Sequence, residues 1–188
     1  MIRVGVLLAA GYSRRFGPTN KLLALFRGAP LATCAANAMR AAELDHRIAV
    51  VADPALTPLL EDFTIVPLAE GDMLQSDSLK AGIREAARHR PNRVLFALAD
   101  MPCVSADLLD RVLRTCSDTH ASAVTDGRRR MPPACFPGQQ LADFQRLEGD
   151  RGAGSLLTAL PENQLVSVSA ACLGDVDTKA DLEALEWL

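Results

Sequence analysis

Three uninterrupted apolar runs, Val4–Ala9, Ile48–Ala52 and Val94–Leu98, constrain this chain more than any other feature. None alternates with polar residues, as a strand with one wet face would. Runs of this length without alternation fit strands covered on both faces, as in a parallel sheet. Between them lie helix-like segments, one Ala-rich from Pro30 to about Ala42 and one from Leu79 to Ala87. Beyond the third run, Ser105 is placed to cap a helix whose Leu108, Leu109, Val112 and Leu113 form one apolar stripe. Ile65–Pro67, Ala123–Thr125, Pro133–Phe136 and Leu165–Val168 read as further strands. A helix is expected to start near Gly152, and Thr178-x-x-Asp181 is a capping-box start for the last one. Strands alternating with helices predict an α/β protein with a mostly parallel sheet. At 188 residues, without repeat or Pro/Gly-rich linker, the chain is expected to form one domain over 1–188.

The function classes that drop out first follow from charge and cysteine spacing. A formal net charge of -3 does not suit a general polyanion binder, so no nucleic-acid partner is expected. The Val4–Ala10 run is too short to span a bilayer, and polar Gly11-Tyr12-Ser13-Arg14-Arg15 follows at once, unlike a signal peptide. No membrane association and a cytoplasmic location are therefore expected. Cys34, Cys103, Cys116, Cys135 and Cys172 form no C-x-x-C pair and are odd in number, so mostly buried, reduced thiols are the expectation. His46, His89 and His120 fall at helix ends or in polar loops and read as surface residues. Trp187 is expected to pack the terminal helix.

Ligands of open α/β sheets bind beyond the carboxyl ends of strands. The segment in that position after the first strand is Leu8-Ala9-Ala10-Gly11-Tyr12-Ser13-Arg14-Arg15-Phe16-Gly17-Pro18-Thr19-Asn20-Lys21. Gly11 and Gly17 let backbone N–H groups approach a phosphate. Ser13 adds a hydroxyl, and Arg14, Arg15 and Lys21 add charge against a triphosphate. The glycines are spaced for neither a dinucleotide fingerprint nor a Walker A loop. Composition alone leaves an ordinary strand-to-helix loop equally open.

Two aspartates stand where a metal site would need them. Asp100 ends an apolar strand in Leu98-Ala99-Asp100-Met101-Pro102, and Asp177 precedes the last helix in Gly174-Asp175-Val176-Asp177-Thr178. Mg²⁺ takes oxygen ligands, usually one or two carboxylates plus substrate phosphates. Each Asp taken alone is also compatible with a plain turn, and Asp175 is the weaker candidate. Gln75, Ser76 and Ser78, in the Gly71–Leu79 segment, offer donors and acceptors for a base edge, or simply helix caps.

Taken together these segments resemble a family pattern. Leu8-Ala9-Ala10-Gly11-x-Ser13-x-Arg15-x-Gly17 followed by Lys21, then L-A-D-M-P at Asp100 and a late D-x-D-T at Asp177, are similar to the MobA-like NTP transferases. The nearest likeness is to the molybdenum cofactor cytidylyltransferases. The resemblance runs from Leu7 to Leu185. It implies a Rossmann-like three-layer α/β/α sandwich of the nucleotide-diphospho-sugar transferase kind. It further implies that Leu8, Ala9, Ala10 and Gly11 line base and ribose, that Gly11 to Gly17 wraps the triphosphate, and that Gln75, Ser76 and Ser78 meet the base. Arg15 and Lys21 would hold the phosphates and the departing pyrophosphate, and Asp100 and Asp177 would bind Mg²⁺, making Lys21, Arg15 and Asp100 the catalytic set.

The implied reaction transfers CMP from CTP to the terminal phosphate of molybdopterin, with a molybdoenzyme or its chaperone as a further partner. Leu147–Leu157 resembles the G-D-x-G-A-R-x-L-L stretch of the cytidylyltransferases, with Gly154 where Arg is usual. The Arg128-Arg129-Arg130 run, ahead of Met131-Pro132-Pro133, stands in the expected acceptor loop and could compensate, although such a run reads first as solvated surface. GTP or another NTP as donor, a sugar-phosphate acceptor, and a non-catalytic carrier of molybdenum cofactor stay open. A redox Rossmann protein is disfavoured by the missing glycine fingerprint.

Overall fold

A computed structural model describes residues 1–11, 15–68, 75–146 and 154–187. Within them, seven strands make one sheet in the order β5-β4-β1-β6-β8-β7-β9. These are β1 (Arg3–Ala9), β4 (His46–Val51), β5 (Thr64–Pro67), β6 (Arg93–Leu98), β7 (Ser122–Thr125), β8 (Arg130–Pro137) and β9 (Leu165–Ser167). A two-stranded ribbon of β2 (Leu25–Phe26) and β3 (Ala29–Pro30) lies apart. The left half, β5-β4-β1-β6, is parallel throughout. β8 runs antiparallel to both β6 and β7, and β9 returns to parallel beside β7. The expected α/β, mostly parallel sheet is what forms.

Helices α1 (Ala32–Ala41) and α3 (Ala106–Thr115) cover one face, and α2 (Gln75–Ala87) and α4 (Gly154–Thr158) the other. Strand alternation sorts the core between these two faces. Leu7, Ala9, Ala49, Val51, Leu95 and Ala97 pack toward α1 and α3. Val4, Val6, Ile48, Val50, Val94 and Phe96 pack toward α2. The three layers follow from the unbroken apolar runs, because a strand buried on both faces needs a helix on each side.

The helix starts obey local chemistry. Ser105 Oγ accepts from the Leu108 N–H at 3.2 Å, and Leu108, Leu109, Val112 and Leu113 are the buried stripe of α3, as expected. Before α5 (Lys179–Glu186), Thr178 and Asp181 close the expected capping box. α2 begins four residues ahead of the apolar periodicity, since its first turn is polar. The start of the expected helix near Gly152 lies outside the described residues.

Three expectations are corrected. Trp187 is 89% exposed, because α5 docks through Leu185, whose side chain lies over Gly174. Only Cys116 and Cys135 are buried; Cys34, Cys103 and Cys172 are half-buried, and all five are free thiols. His46 and His120 are exposed, but His89 is half-buried, with its ring stacked on His46 at 4.0 Å. Among the described residues no helix is long and apolar enough to cross a membrane.

Candidate active site

The carboxyl ends of β1 and β6 meet at the site. The register pairs Leu8 of β1 with Leu98 of β6, and Phe96 of β6 with Ala134 of β8. Alternation then puts Leu8 and Ala10, Phe96, Leu98 and Asp100, and Arg130, Pro132, Ala134 and Phe136 along one wall of a cavity of about 320 Å³. Gly11, Lys21, Ser78, Leu79 and Gly154 line it as well. Phe144 closes the base from behind, 5.5 Å from Phe96 and 4.7 Å from Phe136 between ring centroids. The volume and the mainly apolar walls with a few convergent polar groups suit a small-molecule site.

Lys21 sits at the centre of the polar end. Asn20 caps the 3₁₀ turn Lys21–Leu23 by accepting from the Leu22 N–H at 3.0 Å, and its amide donates to Asp53 at 2.8 Å. That anchoring delivers the Lys21 stem inward, where the residue is only 4% exposed. Its ammonium donates to Asp100 Oδ2 at 2.6 Å and to Asp177 Oδ1 at 3.1 Å. Asp177 is brought there by its backbone: the Val176 N–H donates to the Asp100 carbonyl at 2.9 Å, and the Asp177 N–H donates to Asp181 at 3.1 Å. Arg15, largely exposed, donates to Asp177 Oδ2 at 2.6 Å.

The charges are matched but not fully satisfied. Burial works against the Lys21 charge, yet Asp100 and Asp177 outweigh it and raise its pKa. Burial pushes the Asp100 carboxyl above its ordinary value, against the pull of Lys21, and the nearby Asp175 charge adds to the rise. Among the described residues, Asp100 Oδ1 is buried without a hydrogen-bond partner. A buried carboxylate oxygen left unpaired is costly unless something else completes it. Two hard carboxylate donors that meet at Lys21 fit Mg²⁺ or Mn²⁺, which take few protein carboxylates and complete their shell from substrate and water. Among the described residues no cluster of three or more His, Cys, Asp or Glu competes as a metal site.

The expected site residues divide as follows. Leu8, Ala10, Gly11, Ser78, Lys21 and Asp100 line the cavity. Asp177 and Arg15 join them through Lys21 and through each other. Ala9 turns into the core on the other face, as strand alternation requires, and Ser76 is 1% exposed inside the first turn of α2. Gly17 adopts a φ of +120°, which favours glycine, on the exposed side of the loop. Ser13 and Arg14, the Tyr12 between Gly11 and Ser13, and the side chain of Gln75 lie outside the described residues. The wall from β8, and the Asn20–Asp53 anchor, escaped sequence reasoning. Apolar residues occupy the alternate positions of β8 too, and Met131 lines the cavity beside Arg130 and Pro132, so no spacing signal marked the wall, and the anchor had none either.

The model of the MobA-like NTP transferase domain matches residues 5–165. The chain belongs to that family. Among relatives of this MobA-like protein, the nicotine blue oxidoreductase of Paenarthrobacter nicotinovorans is 31% identical, covering 93% of this chain and 91% of its own. A probable molybdenum cofactor guanylyltransferase of Mycobacterium avium (strain 104) is 29% identical, covering 96% and 93%. The crystal structure of Rv0371c from Mycobacterium tuberculosis H37Rv superposes with a TM-score of 0.86 at 24% identity, covering 100% of this chain and 98% of that one. The fold is therefore that of the Rossmann-like nucleotidyltransferases, and the protein is a nucleotidyltransferase of the MobA-like type.

Proposed function

We propose that the protein transfers a nucleoside monophosphate from a nucleoside triphosphate to the terminal phosphate of molybdopterin carrying molybdenum, releasing pyrophosphate. The observation that carries this reading is the meeting of Lys21, Asp100 and Asp177 at the mouth of a nucleotide-sized cavity. CTP is the donor suggested by the Leu147–Leu157 likeness. GTP is the second reading, favoured by the mycobacterial relatives named molybdenum cofactor guanylyltransferase.

In this reading an acceptor phosphate oxygen attacks the α-phosphorus in line, and the bond from that phosphorus to the bridging oxygen breaks. A phosphate nucleophile is already ionised at neutral pH, so no general base is needed. Positioning and charge stabilisation do the catalytic work. Lys21 donates to the triphosphate and, as the bridge breaks, to the departing pyrophosphate. Arg15 steadies the outer phosphates from the exposed side. Leu8, Ala10, Gly11 and Ser78 seat base and ribose, and the apolar floor of Phe96, Leu98 and Ala134 keeps water from the reacting phosphorus. Asp100 and Asp177 would hold Mg²⁺, which when bound neutralises charge on the phosphate oxygens.

A panel of the four NTPs with Mg²⁺, each with and without molybdenum cofactor, tests this by pyrophosphate release. Release with CTP, or with GTP, only when the cofactor is present is the expected result. Tight cofactor binding without release would make the protein a carrier, and release with a sugar phosphate instead would change the acceptor. Either outcome ends this reading.

A further inference from the structure

Beside the nucleotide cavity lies a second groove, of about 710 Å³, lined by Arg128, Arg129, Arg130, Met131, Thr158 and Asp175. Arg130 and Met131 line both spaces, so the two share a wall. Asp175 stands two residues before Asp177, and its charge is felt at Asp100. The groove therefore adjoins the nucleotide cavity through the wall the two share.

The arginines are not presented by a slack loop. They follow the turn between β7 and β8, which side chains hold in place. Asp126 Oδ1 accepts from the Arg128 N–H at 2.9 Å and the Arg129 N–H at 2.7 Å. Thr125 Oγ1 donates to the Arg129 carbonyl at 2.8 Å and accepts from the Gly127 N–H at 3.0 Å. Gly127 has a φ of +86°, the left-handed region this turn requires. The Arg130 guanidinium donates to the Thr158 carbonyl at the end of α4, at 2.6 Å. A solvated charge run needs none of these bonds. A binding surface gains from them, because charged side chains carried on a braced backbone lose less freedom when they meet an anion.

The groove is cationic in a protein of formal net charge -3. Arg128, Arg129 and Arg130 line it against one carboxylate, Asp175, while Asp126 Oδ2 accepts from Arg129 Nε at 3.3 Å. Across the cavity, Gly154 offers no side chain, and a Cβ there would meet nothing within 4 Å. Positive charge for a second anionic ligand is supplied from the Arg128–Arg130 side.

We propose that this groove binds the phosphate-monoester dianion of the acceptor, with Arg128 and Arg129 as its anion contacts and Arg130 as the partition shared with the nucleotide. The inference rests on the nucleotidyl-transfer reading for the word acceptor, and on the groove alone for the anion.

The test is a pair of titrations followed by amide resonances, one with phenyl phosphate and one with CTP or GTP plus Mg²⁺. They are run on the wild type, on Arg128→Ala/Arg129→Ala and on Arg128→Lys/Arg129→Lys. The alanine pair is expected to bind phenyl phosphate about tenfold more weakly or worse, with nucleotide affinity unchanged. The lysine pair, which keeps the charge, is expected to recover most of that loss. The proposal is overturned if the wild type does not bind phenyl phosphate, if the alanine pair binds it as well as the wild type, or if benzyl alcohol binds equally well. Arginine-dependent phenyl phosphate binding in a protein that binds no nucleotide would uphold the groove and remove the nucleotidyl-transfer reading.

Discussion

Lys21 has two carboxylate partners and almost no solvent, and that arrangement separates stability from activity at this site. Its ammonium offsets two acidic groups that would otherwise repel each other. In Lys21→Ala, metal-free protein is expected to lose about 1.5–3 kcal/mol, the usual worth of hydrogen bonds to charged groups. Added Mg²⁺ should raise the thermal midpoint of that variant more than it raises the wild type, because the bared carboxylates then attract a cation more strongly. An equal Mg²⁺ shift in both proteins would count against Asp100 and Asp177 as the metal pair. Asp100→Ala should behave oppositely. Burial pushes the carboxyl up, and among the described residues one of its oxygens has no partner; relief of both offsets part of the lost bond to Lys21, so the fold is expected to survive the change. Turnover, measured by pyrophosphate release, is expected to fall at least about a hundredfold. A variant with near-normal turnover would take Asp100 out of the mechanism.

At the scale of elements, caps and turns carry most of the local information. The Ser105 cap, the Thr178 capping box and the α3 stripe are fixed by residues within four positions of one another, and the structure has all three where expected. Apolar periodicity misses the first turn of α2, where the buried Ser76 is polar, and the Arg130 end of β8, because it registers apolar side chains and not burial as such. The turn between β7 and β8 has its own pH signature. Two backbone N–H groups, from Arg129 and Arg128, hold the Asp126 carboxyl down to about 2. Its folded value lies below its unfolded value, so its contribution is complete above the ordinary carboxylate range and fades as pH falls through about 2. Asp126→Asn should therefore be less stable than the wild type at neutral pH. The gap in denaturation midpoint should narrow as the medium is acidified from 4 toward 2. A gap that stays constant over that window would show that the ionised carboxyl is not what secures the turn.

Over the whole molecule, the site depends on how closely α2 lies on the sheet. Gly82 is where the helix touches: a Cβ there would stand 2.5 Å from Val6 Cγ1 and 3.0 Å from Val50 Cγ2. Gly82→Ala is expected to cost about 1–3 kcal/mol by overpacking, despite the better helix propensity of alanine. Because α2 carries Ser78 and Leu79 on the cavity wall, the same change should weaken nucleotide binding. Unaltered stability and affinity would mean that the helix can lift without consequence. The long pairings belong to this scale too. Lys21 meets Asp100 across 79 positions and Asp177 across 156, a convergence that sequence reasoning reached only through likeness to a family.

The chain's own order of residues determined the α/β class, the two-sided burial of β1, β4 and β6, and the starts of α3 and α5. Each of these depends on neighbours within a turn or along one strand, where spacing alone sets the geometry. Only the tertiary structure decided that Ala9 faces the core while Leu8 and Ala10 face the cavity, that β8 supplies a wall, and that Arg130 separates two binding spaces. Those outcomes rest on strand register and on which helix covers which face, and both are set by packing between segments far apart in the chain.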